Sequence, residues 1–173
     1  MSGPVTCANF TRFDAVKASL PEPVVGTTSW NRSDARSYFL VSGSGRRWEL
    51  NDALRLGEVD PVVRPPAIAP TAPIIGLSTH PTGVLYFTAQ GGVVLETRSG
   101  LETFVFPHGE IMTGSYIGGL IDRWILVLNQ AGELYLHAIG TESWEPMPAL
   151  GFAPGPNVQL TLAGESSPTE GRC

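Results

Sequence analysis

The chain has 173 residues, a length that fits one domain, and 42% of them are hydrophobic, enough for a packed core. The formal net charge is −5 at pH 7 and the longest basic cluster is Arg46-Arg47, so binding to the phosphates of nucleic acid is excluded. No apolar stretch approaches the roughly 18 residues of a membrane helix, and residues 1–10 lack the regions of a signal peptide. We expect no membrane insertion and a cytoplasmic protein or part of an assembly.

The predicted elements begin with an outer strand at Asn9–Val16 (NFTRFDAV). A complete unit follows, with a strand rich in small residues at Val24–Trp30 and the hairpin SYFLVSGSGRRWEL, whose turn contains Gly45. A more polar fourth segment lies at Glu58–Val63. The Pro-rich linker 64–73 (RPPAIAPTAP) predicts an extended, polyproline-like path to the next unit.

Two further units repeat this order. The second consists of Ile74–Thr79, the hairpin VLYFTAQGGVVLET with Gly92 at its turn, and Glu102–Phe106; the third consists of Tyr116–Ile121, the hairpin ILVLNQAGELYLH with Gly132 at its turn, and Ser143–Met147. Apolar residues alternate along these hairpins, as expected for β-strands.

The turn glycines recur every 40 to 47 residues, which is the spacing of four-stranded repeat units. Small residues suit an innermost strand, where neighbouring units crowd a common axis. The sequence therefore predicts an all-β fold of β-propeller-like antiparallel blades, about three blades plus terminal strands. We assign residues 1–163 to a single domain and residues 164–173 to a polar tail.

The chain ends leave the closure of the ring open. Asn157–Leu162 (NVQLTL) resembles another innermost strand, and with Asn9–Val16 it can form a split fourth blade that lacks two central strands. Either the ring closes as a small four-bladed unit, or chains associate to complete a larger one, which predicts self-association or protein partners. Cys7 and Cys173 lie near the two ends and are either bonded to each other or free thiols.

Catalytic, cofactor and metal motifs are absent from the sequence. His80 and His108 adjoin prolines and His137 ends a strand, positions at which histidines are usually solvated. We therefore expect a non-enzymatic protein with no cofactor and no metal.

A binding site has better support in the first unit. Arg36 can donate several hydrogen bonds to sugar hydroxyls, Glu49 can accept from a pair of them, and an indole can cover an apolar sugar face. Trp30 and Trp144 are predicted at strand ends or loops, hence exposed, whereas the other large aromatic residues are assigned to packing. The same Arg36 and Glu49 are equally consistent with an ordinary cross-strand ion pair.

The first unit resembles the repeat of the fucose-binding β-propeller lectins. The matching pieces are Ser29-Trp30, Arg36-Ser37-Tyr38-Phe39, Gly45, Arg47-Trp48-Glu49 and, from the third unit, Ser143-Trp144. The resemblance implies that Arg36 and Glu49 hold a sugar and that Trp144 stacks on it. In the second unit Glu96 matches Glu49 while Val84 replaces the arginine, and the third unit has Arg123 with no glutamate near Leu136.

A second resemblance is to hemopexin-type four-bladed domains. It is carried by Phe13 to Val16 (FDAV) near Cys7, by YFLVSGSGRRWEL and by the final Cys173, and it implies cysteines paired near the chain ends. Both resemblances imply a propeller that binds without catalysis. Two functions follow as hypotheses: a lectin-like module for a glycan or small ligand, or a structural and interaction subunit of a larger assembly, such as a coat, decoration or scaffold protein.

Overall fold

The computed structural model describes residues 20–32, 35–50, 55–118, 123–151, 154–155 and 160, and the described part is built from twelve β-strands. The first sheet contains β1 (Val24–Arg32), β2 (Ala35–Ser42), β3 (Arg47–Leu50) and β4 (Leu56–Val59). The second contains β5 (Ile74–His80), β6 (Gly83–Thr88), β7 (Gly92–Thr97) and β8 (Gly100–Val105). The third contains β9 (Ile111–Gly118), β10 (Arg123–Asn129), β11 (Leu134–Ala138) and β12 (Glu145–Pro146).

Each sheet is an antiparallel meander in which consecutive strands pair, and we call the three sheets blades 1, 2 and 3. The predicted all-β fold of propeller-like blades is confirmed. One inner strand begins earlier than predicted, at Ile111 rather than Tyr116. The segments Asn9–Val16 and Asn157–Leu162 of the expected split blade lie outside the described residues, apart from a half-buried Leu160, as do Cys7 and Cys173.

The central hairpins turn at glycines with positive φ, a conformation that side chains rarely tolerate. Gly45 has a φ of 92° and Gly132 a φ of 83°, as the sequence predicted. In blade 2, however, the residue with positive φ is Gly91, at 88°, and Gly92 is the first residue of β7. The prediction that Gly92 forms this turn is therefore wrong by one residue, and a one-residue shift moves every side chain of a strand to the other face.

The two connections between blades repeat the same backbone hydrogen bonds. After each outer strand the chain passes over the central hairpin turn of its own blade, where Val62 N–H donates to Gly45 O and Phe106 N–H donates to Gly91 O, at 2.9 and 2.7 Å. The next inner strand then begins with a second donation to the same turn region. These bonds are Ile74 N–H to Gly43 O (2.8 Å) and Ile111 N–H to Ala89 O (2.9 Å).

The inner strands lie side by side, with β5 between β1 and β9. Thr28 Oγ1 and Thr79 Oγ1 share a hydrogen bond of 2.8 Å, and Tyr116 N–H donates to Ser78 Oγ at 2.9 Å. The approach leaves no space at two glycines: a Cβ added to Gly26 of β1 would lie 2.4 Å from Leu77 Cδ2 of β5, and one added to Gly114 of β9 would lie 2.3 Å from the Phe87 ring of β6. The predicted need for small residues on the innermost strands is confirmed at Gly26, which lies in the predicted strand Val24–Trp30.

Hydrophobic cores lie between the blades. Between blades 1 and 2 the core includes Phe39, Val41, Ile74, Val84, Tyr86 and Val94. Between blades 2 and 3 it includes Leu85, Phe87, Val93, Leu95, Ile125, Val127 and Trp144. Blade 2 is therefore buried on both faces, which explains why every residue of β6 is buried.

The linker 64–73 does not follow the predicted extended path. It contains two successive turns, closed by Ile68 N–H to Pro65 O (2.8 Å) and by Ala72 N–H to Ala69 O (3.0 Å). Ile68 and Ala72 are 3% and 1% exposed in the core between blades 1 and 2. Burial of these two side chains favours a folded connection over a polyproline segment. Within the described residues no helix is long and apolar enough to cross a membrane.

Replacing Gly114 by alanine is expected to destabilise the protein by about 1 to 3 kcal/mol, the usual cost of overpacking a close contact. The buried Phe87 ring has no room to move away from the new methyl group. The matched control is Gly76→Ala on β5, where an added Cβ meets no atom within 4 Å. Denaturant unfolding measures both variants, and equal stability losses would contradict the close approach of β9 to blade 2.

Candidate functional site

A buried charged cluster joins blades 1 and 2. Arg47 on β3 reaches across the interface, and its Nη1 donates to Glu96 Oε2 at 2.8 Å and to the Tyr86 hydroxyl at 3.2 Å. The Tyr86 hydroxyl donates in turn to Glu96 Oε2 at 3.1 Å, and Arg47 Nε donates to Asp60 O at 2.9 Å. The guanidinium carbon also lies 5.4 Å from the centre of the Phe39 ring.

The electrostatics of this cluster follow from its burial. The Arg47 and Glu96 side chains are 5% and 14% exposed. Burial alone would lower the pKa of Arg47. The interactions with Tyr86 and Glu96 together have the larger effect, so the pKa of Arg47 is raised. Burial and then the Glu96 carboxylate raise the pKa of the Tyr86 hydroxyl above its ordinary range. The cluster is thus a paired arginine and carboxylate with a neutral tyrosine between them, and its contacts connect two blades.

Glu96 does not occupy the position in blade 2 that Glu49 occupies in blade 1. Counted from the turn glycines Gly45 and Gly91, the residue equivalent to Glu49 is Leu95. Glu49 pairs with Phe39 on the face of blade 1 that packs against blade 2, whereas Glu96 lies on the face of blade 2 that packs back against blade 1. The sequence match between the two glutamates is wrong because it took Gly92 as the turn residue.

The predicted ligand residues of blade 1 are only partly described. In the backbone ladder Trp30 pairs with Ser37 and Arg36 pairs with Asn31, and the side chains of Trp30 and Arg36 lie outside the described part. Glu49 is half-buried on β3, opposite Phe39 and Gly57. A sugar site formed by Arg36, Glu49 and Trp30 stays a prediction.

The sequence analysis expected Trp144 to be exposed, and this is wrong. The side chain is 8% exposed and lies between blades 2 and 3. Its indole Nε1–H donates to Val105 O at 3.1 Å, and its ring stacks on His137 with centroids 4.6 Å apart. Phe106 packs edge-on against the same ring at 5.0 Å. The position after strand β11 indicated a loop, but the contact with β8, 39 residues away in sequence, buries the indole.

Two of the three histidines are also buried, contrary to the expectation of solvated rings. His80 is 4% exposed and His137 is 2% exposed, whereas His108 is exposed and stacks on Tyr135 with centroids 4.4 Å apart. Across the described ranges, no three His, Cys, Asp or Glu side chains lie close enough to hold a metal ion.

Exposed apolar side chains that the sequence analysis missed lie on or directly beside the outer strands of blades 2 and 3. Leu101 and Val105 on β8 are 43% and 56% exposed, and Met147, directly after β12, is 39% exposed. The Trp144 indole bond to Val105 O joins the two outer strands here. We call Leu101, Val105 and Met147 the outer-edge patch. The sequence GLETFV of β8 has no alternation of apolar and polar residues, so no local signal marked these side chains as exposed.

Replacing Arg47 by methionine is expected to destabilise the protein by about 3 to 5 kcal/mol, because it leaves the buried Glu96 carboxylate without its main partner. Glu96→Gln is expected to recover part of this loss when it is combined with Arg47→Met. Denaturant unfolding of the two single variants and the double variant measures the coupling. The matched control is Arg46→Met, since Arg46 pairs with Glu58 and Glu22 at the surface and its loss should matter far less. Equal losses for Arg46→Met and Arg47→Met would contradict the structural role of the buried pair.

Comparison with known proteins identifies the fold. No protein-family model matches the sequence, and no curated protein matches it. The chain is similar in structure to BBS1N, crystallised in complex with ARL6DN and soaked with lead, with a TM-score of 0.52 and 13% identity. The match covers 75% of this chain and 41% of that one. A mercury-soaked crystal of the same complex matches at a TM-score of 0.49 and 11% identity, with 75% and 42% coverage. The chain thus spans about two fifths of the solved chains, and the likeness shows a β-propeller fold alone.

Proposed function

We propose that this chain is a non-enzymatic protein-interaction module, whose propeller blades present an apolar surface to a partner protein. The observation that carries the proposal is the outer-edge patch. Leu101 and Val105 lie on β8, and Met147 lies directly after β12, so all three are at outermost strands of their sheets. Exposed apolar side chains grouped on strand edges are typical of protein-binding surfaces.

The patch has the two features that a protein partner uses. Leu101, Thr103 and Val105 share one face of β8, and Glu102 lies on the other face. These side chains project from an outermost strand that has a neighbour on one side. The flanking Glu102 and Glu110 are exposed and supply a polar rim. An apolar centre with a polar rim is the usual composition of a protein interface.

The distribution of polar groups also supports this proposal over sugar binding. Glu96 is engaged by Arg47 and Tyr86, and Trp144 is packed between blades. Neither residue is therefore available to repeat, in another blade, the pocket suggested for blade 1. The similar propeller BBS1N was crystallised with a second protein, ARL6DN, which is a further reason to favour a protein partner.

Replacing Val105 by glutamate is expected to abolish partner binding, because it places a charge at the centre of the outer-edge patch. Immobilised wild-type protein is incubated with an extract of its source cells, cross-linked and analysed by quantitative mass spectrometry. The matched control is Val63→Glu, since Val63 is 52% exposed but lies in the connection after β4, outside the patch. A protein captured by the wild type and by Val63→Glu, but lost with Val105→Glu, supports the proposal. A set of captured proteins that is the same for Val105→Glu and the wild type would contradict it.

Titration of fucose and other monosaccharides at millimolar concentration is expected to give no binding heat with the wild-type protein. Calorimetry makes this measurement, and Arg36→Ala serves as the site variant. Sugar-specific binding heat from the wild type, with an affinity that falls at least tenfold in Arg36→Ala, would instead favour the lectin hypothesis. Hydrogen bonds to a charged group contribute about 1.5 to 3 kcal/mol.

A further inference from the structure

Two buried histidines lie at the contact between blades 2 and 3, and no catalytic or binding role above uses them. His80 ends β5 of blade 2 and meets Tyr116 of blade 3 edge-on, with ring centroids 4.5 Å apart. His137 lies on β11 of blade 3 and meets Phe104 of blade 2 edge-on, at 5.2 Å. Each blade thus places one imidazole against an aromatic ring of the other.

The hydrogen bonds of His80 allow one neutral tautomer. Thr82 N–H donates to Nδ1 at 3.2 Å, and a backbone N–H can only donate, so Nδ1 is an unprotonated acceptor and the proton is on Nε2. Thr82 Oγ1 lies 3.0 Å from the same nitrogen. Protonation must therefore occur at Nδ1, where it removes the acceptor of the Thr82 N–H. Nε2 is buried and has no hydrogen-bond partner.

The hydrogen bonds of His137 fix the opposite tautomer. Nδ1 lies 2.8 Å from Ser143 O, which can only accept, so Nδ1 carries the proton. Nε2 has the free lone pair, is buried and has no hydrogen-bond partner. The ring is stacked on Trp144 and touches Phe104, so a proton added to Nε2 would enter an apolar contact with no acceptor.

The charged neighbours make protonation at this contact less favourable. Arg123 at the start of β10 is the charged group that acts on His80, and it repels an imidazolium. Burial, and then Arg123, lower the pKa of His80 below its ordinary value. No carboxylate in the described segments forms an ion pair with either ring. A charge on these rings would therefore have no compensating partner there.

We propose that the contact between blades 2 and 3 is an acid-sensitive joint, in which protonation of His80 and His137 separates the two blades. Neutral imidazoles fit the contact because each has a single tautomer that the backbone selects. A second proton on His80 breaks the Thr82 N–H bond and leaves Thr82 Oγ1 to accept, and a second proton on His137 adds an N–H with no acceptor. Both protonated rings then carry a buried charge, which favours separation of the blades.

The direction of the pH dependence follows from His80. Its pKa is lower in the folded protein than in the unfolded chain, so the unfolded chain binds the proton first as the pH falls. The stability that neutral His80 contributes is fully present above about pH 6.5 and is lost as the pH falls toward the folded-state pKa.

The test compares unfolding of the full chain at about pH 7.5 and about pH 5. Asn replaces both histidines, because Oδ1 can accept from Thr82 as Nδ1 does in His80, and Nδ2 can donate to Ser143 O as Nδ1 does in His137. The matched control is His108→Asn, an exposed histidine stacked on Tyr135. The unfolding equilibrium constant of the wild type and of His108→Asn is expected to rise by up to about tenfold per pH unit for each histidine protonated on unfolding. The double variant His80→Asn/His137→Asn is expected to lose most of this rise, and an unchanged rise would overturn the proposal.

A second measurement on the wild type applies even if the double variant does not fold. NMR follows the Cε1 protons of the three histidines together with exchange of the Tyr116 amide, which donates to Ser78 Oγ across the joint. Protonation of His80 and His137 should coincide with loss of Tyr116 amide protection. Titration of His80 and His137 while that amide stays protected would contradict the acid-sensitive joint.

Discussion

The close approach of the inner strands is the constraint on which the rest of the structure depends. β5 lies between β1 and β9, and the contacts of Gly26 on β1 and of Gly114 on β9 with blade 2 leave no space for a side chain beyond hydrogen. In the middle of blade 2, β6 and most of β7 are buried on both faces, with apolar side chains directed toward both neighbouring blades.

Burial of both faces decides which polar side chains the fold can contain. Inside such a core a polar group costs free energy unless it is hydrogen-bonded, and a charge costs more unless it is paired. Arg47 satisfies this condition through Glu96 and Tyr86, and His137 satisfies it at Nδ1 through Ser143 O. Glu96, Trp144 and His137, which the sequence analysis considered as binding residues, here contact the neighbouring blade. The outer strands β4, β8 and β12 end the three sheets, and the proposed place of recognition is at β8 and β12.

The sequence predicted the blades well because their signals are local. Alternating apolar residues on either side of a Gly-containing turn define a hairpin, and repetition of the hairpins defines the number of blades. The sequence prediction failed where two local patterns were equivalent, and where a contact between residues distant in sequence determines the burial of a side chain. Gly91 and Gly92 are chemically identical, so the sequence alone did not show which adopts positive φ, and the wrong choice put Glu96 on the wrong face. The burial of Trp144 depends on Val105, and that of Ile68 on the packing of two blades, and neither contact leaves a local signal.

Native-state hydrogen exchange of the Ile74 and Ile111 amides tests the central claim most directly. These two amides donate to Gly43 O and Ala89 O, so each bond closes one blade onto the next. If the inner strands hold the three blades as one packed arc, both amides exchange only through global unfolding, and their opening free energies equal the stability measured by denaturant at the same pH, near neutrality. Exchange of either amide at a free energy well below that value would show that the blades open independently and would contradict this account.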